Sequence, residues 1–156
     1  MKKLLVAVLC AAAAWSACAE RMYLAGINHD GLVWHFLYLD SVIDDEDGKF
    51  VWVHSITDDE LRDVKQLYKI DCANRRLKLL KQITYFGDTP VGAPSIEDSP
   101  QWKNTIPHSV GESFRRITCG EESLEEEFWY RDSQDDIYEI KQDIDKASTK
   151  TQEDNK

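Results

Sequence analysis

The cysteines are the residues of this sequence whose type and spacing point most directly to chemistry. Of the four, Cys10 and Cys18 lie in an apolar N-terminal segment, whereas Cys72 ends an alternating run and Cys119 ends a run with helical periodicity. Outside the cytoplasm, two remaining cysteines most simply form a disulfide. A redox-active pair would need a Cys-x-x-Cys motif or a thiolate-stabilising site, and the sequence contains neither. We therefore predict a structural Cys72–Cys119 bond that ties a helix to a sheet.

The histidines are the second candidate group, because imidazole nitrogens bind zinc. His29, His35, His54 and His108 have no metal-binding spacing. His35 and His54 could face each other across a hairpin, but without a third ligand such a pair usually packs and forms hydrogen bonds. We expect no metal and no cofactor. The sequence also has no nucleophile elbow, phosphate loop or glycine-rich dinucleotide turn, so we expect no enzymatic activity.

An acidic cluster at residues 44–47 could suggest calcium binding. Aligning Gly48 with the glycine of an EF-hand loop places Ile43 at the first ligand position and His54 at the twelfth. Neither residue suits those positions. Asp47-Gly48 instead predicts a hairpin turn.

A basic run covers residues 75–81 of an otherwise acidic chain. Its simplest interpretation is the solvated side of a strand, and its functional alternative is a patch that attracts an acidic partner or the acidic tail of this molecule. A tryptophan in a proline-rich loop is a further candidate anchor. The candidate partner contacts are Arg75, Arg76, Lys78, Lys81 and Trp102.

Residues 1–19 have the pattern of a secretory signal peptide, with two lysines, an apolar stretch and the cleavage motif Ala17-Cys18-Ala19. The alternative is a lipoprotein box, Trp15-Ser16-Ala17-Cys18, which would place a lipid on Cys18. We favour cleavage before Glu20, because such boxes usually carry an aliphatic residue where Trp15 stands. No later stretch is long enough to span a bilayer. We expect an exported chain that is periplasmic, secreted or on the cell surface.

The charge balance narrows the classes of partner. The sequence has 29 acidic and 19 basic residues and a net charge of −10, which argues against nucleic acid and anionic membranes as partners. We predict one domain at residues 20–120 and an acidic extension at residues 121–156. The extension contains a seam, Ile137, Ile140 and Ile144, that suits docking on the domain or on another chain. From Ser148 onward we expect disorder.

The remaining patterns predict a sheet and one helix. Alternating apolar residues predict four strands, at Val33 to Ile43, Phe50 to Ile56, Val64 to Cys72 and Leu77 to Phe86. Short connections between them indicate antiparallel neighbours. Residues 87–106 are expected to form a long loop or a pair of short edge strands.

The helix is predicted from its ends as well as its periodicity. Ser109 and Glu112 have the spacing of a capping box, and Gly120 supplies a left-handed exit. The predicted fold class is α+β: an antiparallel sheet of four to six strands, one helix packed on a face and tied by the disulfide, and an acidic, partly helical C-terminal extension.

These features together resemble the surface-adhesin protein E family of Gram-negative bacteria over approximately residues 33–120. The matching segments are Tyr38-Leu39-Asp40-Ser41-Val42, Val51-Trp52-Val53, Tyr68-Lys69-Ile70-Asp71-Cys72, Trp102, Ile106-Pro107-His108-Ser109-Val110-Gly111-Glu112 and Cys119. The resemblance implies the same sheet, helix and disulfide, and a homodimer. It also implies an adhesin-like, non-enzymatic role in binding host matrix or serum proteins such as vitronectin and laminin. The alternative is a periplasmic envelope interaction protein without an adhesive role.

Overall fold

A computed structural model of the protein describes residues 21–28, 33–57, 62–87, 89–131, 139–140 and 142. The predicted signal peptide and the seam residues Ile137 and Ile144 lie outside this part. Five long strands carry the fold: β1 (Arg21–Ile27), β2 (Val33–Asp45), β3 (Gly48–Thr57), β4 (Arg62–Asp71) and β5 (Arg76–Phe86). The later elements are β6 (Thr89–Pro90), β7 (Ser95–Ile96), β8 (Lys103–Asn104), α1 (Val110–Thr118), a 3₁₀ turn (Glu126–Phe128) and β9 (Trp129–Arg131).

All strands of the described residues belong to one antiparallel sheet. Its order is β6-β5-β4-β3-β2-β1-β9, with β7 and β8 also pairing with β5. The sheet therefore has nine strands rather than the four to six expected. The four predicted strands correspond to β2–β5. β1 was missed because it is apolar on both sides, from Met22 to Ala25, and so lacks the alternation of a half-buried strand.

The helix covers one side of the sheet, which we call the helix face. Phe114 and Ile117 of α1 pack there with Tyr23, Leu37 and Val53, all of them buried. Cys72 and Cys119 lie at the border of this cluster and form the predicted disulfide, with a Cα–Cα distance of 5.8 Å. The covalent link thus joins the end of β4 to the C-terminal end of α1.

The N-terminus of α1 confirms half of the predicted capping box. The Glu112 backbone N–H donates to the Ser109 hydroxyl at 3.2 Å. The Glu112 carboxylate does not bond back to the Ser109 N–H, which donates instead to the carbonyl of Ile106. The Glu112 carboxylate accepts hydrogen bonds from Arg115 (2.9 Å), Arg75 (2.6 Å) and Thr105. Glu112 therefore ties the helix to the β4–β5 turn and to the loop after β8.

The opposite side of the sheet, the far face, has a second core cluster. Met22, Phe36, Tyr38 and Ile56 are buried there together with Ile140 of the acidic extension, which is 1% exposed. Of the two docking sites expected for Ile140, the domain and another chain, the structure therefore shows the domain.

The acidic cluster forms the β2–β3 hairpin turn. Lys69 binds Asp45 at 2.6 Å and also binds Asp47, while Lys49 binds Asp44. A Cβ atom at Gly48 would lie 2.3 Å from the carbonyl oxygen of Ile70, so only glycine fits there. Asp45 and Asp47 therefore hold this turn against β4, and Asp44 binds within the hairpin.

Candidate functional site

Trp102 lies against two of the predicted basic contacts. The Arg76 guanidinium carbon is 4.7 Å from the centroid of the Trp102 ring, and the Lys78 ammonium is 4.4 Å from it. Both distances are within the range of cation–π attraction. The pairing brings together a strand and a loop, since Lys78 is 24 positions and Arg76 is 26 positions before Trp102.

The register of β5 explains why these cations point away from the helix. Leu77 packs on the helix-face core, so its neighbours Arg76 and Lys78 point to the far face. Leu77 also pairs with Lys103 of β8, the residue next to Trp102. The short strand β8 therefore fixes the tryptophan beside the two cations.

The other predicted basic contacts have different surroundings. Lys81 pairs with Leu67, which is opposite Trp52, so all three lie on the far face. Arg75 has a left-handed backbone, with φ 51°, and its guanidinium binds Glu112. Arg75 thus serves the helix anchor, and the others form what we call the basic–aromatic surface: Arg76, Lys78, Lys81 and Trp102.

Arg76 is held from two sides. Its Nε donates to the Asp71 carboxylate at 2.8 Å, which uses one of the five guanidinium N–H donors. Asp71 is itself held by the side chain and backbone of Asn74, and these bonds, together with Arg76, lower its pKa to about 2. Asp71 therefore stays ionised and fixes the guanidinium beside the tryptophan.

A small cavity lies further along the far face, and we call it the Tyr38 cavity. It has a volume of about 220 Å³ and is lined by Tyr38, Ser41, Trp52, Lys65, Ile83 and Tyr85. The Lys65 ammonium lies 5.1 Å from the Tyr38 ring centroid and 5.7 Å from that of Tyr85. Sequence reasoning did not find this site. The available signal was the lysine spacing in β4, where Lys65 and Lys69 share the far face.

A bulge in β2 shapes this cavity. Tyr38 pairs with Trp52 and Ile43 with Phe50, so residues 39–42 of β2 lie opposite the single residue Val51. The Ser41 hydroxyl donates to the Tyr38 carbonyl at 2.6 Å and accepts from the Trp52 N–H at 3.3 Å. These bonds replace the missing ladder contacts and fix the bulge, a device that often accompanies binding sites.

The histidines do not form the suggested pair. His35 pairs with Ser55 and His54 with Phe36, so the two imidazoles point to opposite faces. His35 contacts Ser55 and Phe114 on the helix side, and burial lowers its pKa to about 4. His54 stacks on Tyr38 on the far side. Within the described ranges, no group of three His, Cys, Asp or Glu side chains could hold a metal ion.

The described geometry suits binding through charge and aromatic contact. Arginine and lysine held over an indole ring present N–H donors to carboxylates beside an apolar surface. In the part of the chain that the structure describes, no helix is long and apolar enough to cross a membrane.

Comparison with known families identifies this arrangement. The family described as surface-adhesin protein E, a family of adhesin-like surface proteins, matches residues 34–120. That stretch contains both disulfide cysteines, the bulge, α1 and the basic–aromatic surface. No curated protein and no solved structure matches the chain significantly. Because the family match covers more than half of the chain, this protein belongs to the surface-adhesin protein E family.

Proposed function

We propose that the chain is an exported, non-enzymatic module that binds proteins at the cell surface, with host matrix or serum proteins such as vitronectin and laminin as its partners. The family match supports an adhesin-like role. The observation that carries the proposal is the basic–aromatic surface, where Arg76 and Lys78 lie over Trp102. It is a cluster of positive charge on a chain whose net charge is −10.

Charge contrast gives this surface its selectivity. The acidic remainder of the chain repels acidic proteins, whereas the basic–aromatic surface attracts an acidic segment and orients the encounter. The half-buried Trp102 ring then supplies apolar contact area of the kind that dominates binding energy in protein interfaces.

The loop after β5 prepares the surface before a partner arrives. Three short strands, β6, β7 and β8, hold this loop along β5 by backbone pairing. The Thr105 N–H adds a bond to the Arg75 carbonyl at 3.0 Å. A contact that is already ordered loses less conformational entropy on binding.

The test measures binding of the purified chain to immobilised vitronectin and laminin. Arg76→Gln/Lys78→Gln should weaken binding about tenfold at low salt. It should also reduce the salt dependence of binding, because charges at the edge of an interface raise the association rate through attraction that salt screens. Arg62→Gln/Arg116→Gln removes two exposed cations elsewhere and is the matched control. Equal affinity of both double variants would contradict the assignment of this surface.

Exposure on the cell decides between the adhesive role and the periplasmic alternative. An antibody to the folded domain should label intact cells. Labelling only after the outer membrane is permeabilised would make the protein a periplasmic interaction protein. For a periplasmic interaction protein, the Ile137–Ile144 seam would be the surface that docks a partner, and the burial of Ile140 against the domain leaves that side chain unavailable for such docking.

We infer a homodimer from the family resemblance. Ile96 of β7 and Ile106 of the loop after β8 are 68% and 70% exposed, and they offer apolar surface that a second copy would cover. Sedimentation equilibrium should give twice the mass of the chain, and a mass of one chain at all concentrations would contradict the dimer.

A further inference from the structure

The Tyr38 cavity lies on the same face as the basic–aromatic surface and shares none of its residues. Three aromatic rings (Tyr38, Trp52 and Tyr85) and one aliphatic side chain form most of its lining. Its polar groups are the Lys65 ammonium, the Ser41 hydroxyl and the polar tips of the three aromatic side chains. Apolar walls with few polar groups are typical of small-molecule sites.

The volume of the cavity indicates how large a part of a ligand it holds, because one side of the cavity is open to solvent. Cavities for drug-sized ligands hold roughly 300–1,000 Å³, and a protein cavity of about 150 Å³ accepts benzene. The Tyr38 cavity, at about 220 Å³, lies between these values. It fits one aromatic ring, or two fused rings, with a short substituent.

The walls favour an aromatic ligand. Rings pack against aromatic walls in stacked or edge-on arrangements that add to the energy of apolar burial. Tyr38 is 2% exposed and stacks on His54, so its ring cannot move aside and is a fixed wall. Trp52 is partly exposed at the mouth, where it would be in contact with a bound ring.

Lys65 determines the charge of the ligand. Its ammonium lies over the rings of Tyr38 and Tyr85, at the cavity wall. The positive charge of an ammonium group attracts anionic groups, and its three N–H groups are donors only. A carboxylate on the bound ring would meet this positive charge in a partly dehydrated place, where the attraction is stronger than in water.

The bulge in β2 makes the site available without rearrangement. Both bonds of the Ser41 hydroxyl are made within the bulge, to the Tyr38 carbonyl and from the Trp52 N–H. Ser41 therefore positions two of the aromatic walls rather than the ligand.

We propose that the Tyr38 cavity binds a small aromatic carboxylate of one or two fused rings, with Lys65 as the carboxylate contact. The aromatic part packs between Trp52 and Tyr85. This is a small-molecule activity beyond protein binding, and it can be tested independently of any protein partner.

The experiment titrates the full chain with indole-3-carboxylate and with the neutral indole-3-carboxamide, followed by NMR. The acid should cause saturable shifts of the Trp52 indole N–H signal, with a Kd of roughly 1 mM or tighter, as expected for a ligand of this size. Lys65→Gln should weaken the acid about tenfold and leave the weaker binding of the amide unchanged. Arg116→Gln, at an exposed cation of α1 outside the cavity, should change neither.

A second variant tests the aromatic wall. Tyr85→Leu should weaken acid and amide alike, because it removes ring contact without removing charge. Equal binding of the acid to the native chain and to Lys65→Gln would overturn the proposal. The absence of saturable Trp52 shifts at about 10 mM acid, a concentration far above the expected Kd, would also overturn it. Loss of vitronectin binding in Arg76→Gln/Lys78→Gln with intact acid binding would separate the two activities.

Discussion

The Lys78 ammonium lies 4.4 Å from the centroid of the Trp102 ring, and Trp102 precedes the short strand that pairs with Leu77, the neighbour of Lys78. A backbone pairing and a cation–π contact thus hold the same loop to the same strand. Arg76 and Lys78 contact this loop and are also proposed to contact a partner. Their substitution therefore tests both the anchoring of the loop and the binding of a partner.

Replacing Trp102 should reduce partner binding more than replacing either cation. Trp102→Ala is expected to cost about 2 kcal/mol of binding free energy, or roughly thirtyfold in Kd, as for a buried aromatic anchor. Trp102→Phe keeps the apolar contact and should lose less. Surface plasmon resonance on immobilised vitronectin measures both. If Trp102→Ala binds like the native chain, the indole is a structural residue only.

Removing the disulfide should lower the stability of the domain. Cys72 and Cys119 are 47 positions apart, and closure of a loop of that length stabilises the folded state by up to about 4 kcal/mol. Urea unfolding of the Cys72→Ser/Cys119→Ser variant should show a lower midpoint. Adding a thiol reductant should lower the midpoint of the native chain and leave that of the variant unchanged. A reductant effect on the variant would mean that the cause lies elsewhere.

His35 should make the domain less stable in mild acid. Its pKa in the folded state is about 4, because burial disfavours the charged imidazole, against 6.5 when unfolded. Between these values only the unfolded chain takes up the proton, so stability is present above pH 6.5 and falls as the pH drops towards 4. The loss amounts to at most about 3 kcal/mol.

Chemical denaturation at several pH values measures this dependence. His35→Gln keeps a polar side chain opposite Ser55 and removes the titration, so its unfolding free energy should vary less between pH 6.5 and pH 4. Parallel pH profiles for the native chain and the variant would contradict this role of His35.

The hydrogen bonds of the Glu112 carboxylate should contribute strongly to the stability of the domain. Hydrogen bonds from Arg115, with those from Thr105 and Arg75, lower the pKa of Glu112 to about 2 from 4.5. Its stabilisation is complete above the unfolded value and is lost as the pH falls through about 2. Glu112→Gln removes one of the two carboxylates that bind the buried Arg115, the other being Glu121, and should cost about 2 kcal/mol. The exposed Glu122, which binds Arg116 at 3.6 Å, gives a control, Glu122→Gln, with a small expected effect.

Ile140 should stabilise the domain although it lies in the acidic extension. Its side chain is 1% exposed, and truncation of such a buried side chain costs roughly 2–4 kcal/mol. Ile140→Ala should therefore lower the urea midpoint, whereas Ile43→Ala, at a side chain that is 63% exposed, should change it little. Equal midpoints for the two variants would show that the extension is not part of the folded core.

Local patterns predicted much of the fold because the forces concerned act between near neighbours. The alternation that predicts β2–β5 reports which side of each strand is buried, and the Ser109 cap acts over three residues. The Cys72–Cys119 pair followed from composition and from the expected export. The same reasoning missed β1, since a strand buried on both sides looks like any short apolar segment.

Local sequence patterns do not predict strand register, and both far-face sites depend on that register. The register of β2 and β3 places His35 opposite Ser55, one residue away from the register in which it would face His54. A shift of one residue moves a side chain to the other face, so the two histidines lie on opposite faces. The bulge after Tyr38 likewise depends on how β2 fits β3.

Four of the nine strands, the helix, the disulfide and the location of the positive charge along the chain could be predicted from the sequence alone. Three contacts could be seen only in the folded chain: Trp102 lies beside Arg76 and Lys78, Lys65 borders a cavity, and Ile140 packs on the domain. The physical reason is distance: these contacts join segments separated by many residues, and their energy appears only after the sheet has set the register of each strand.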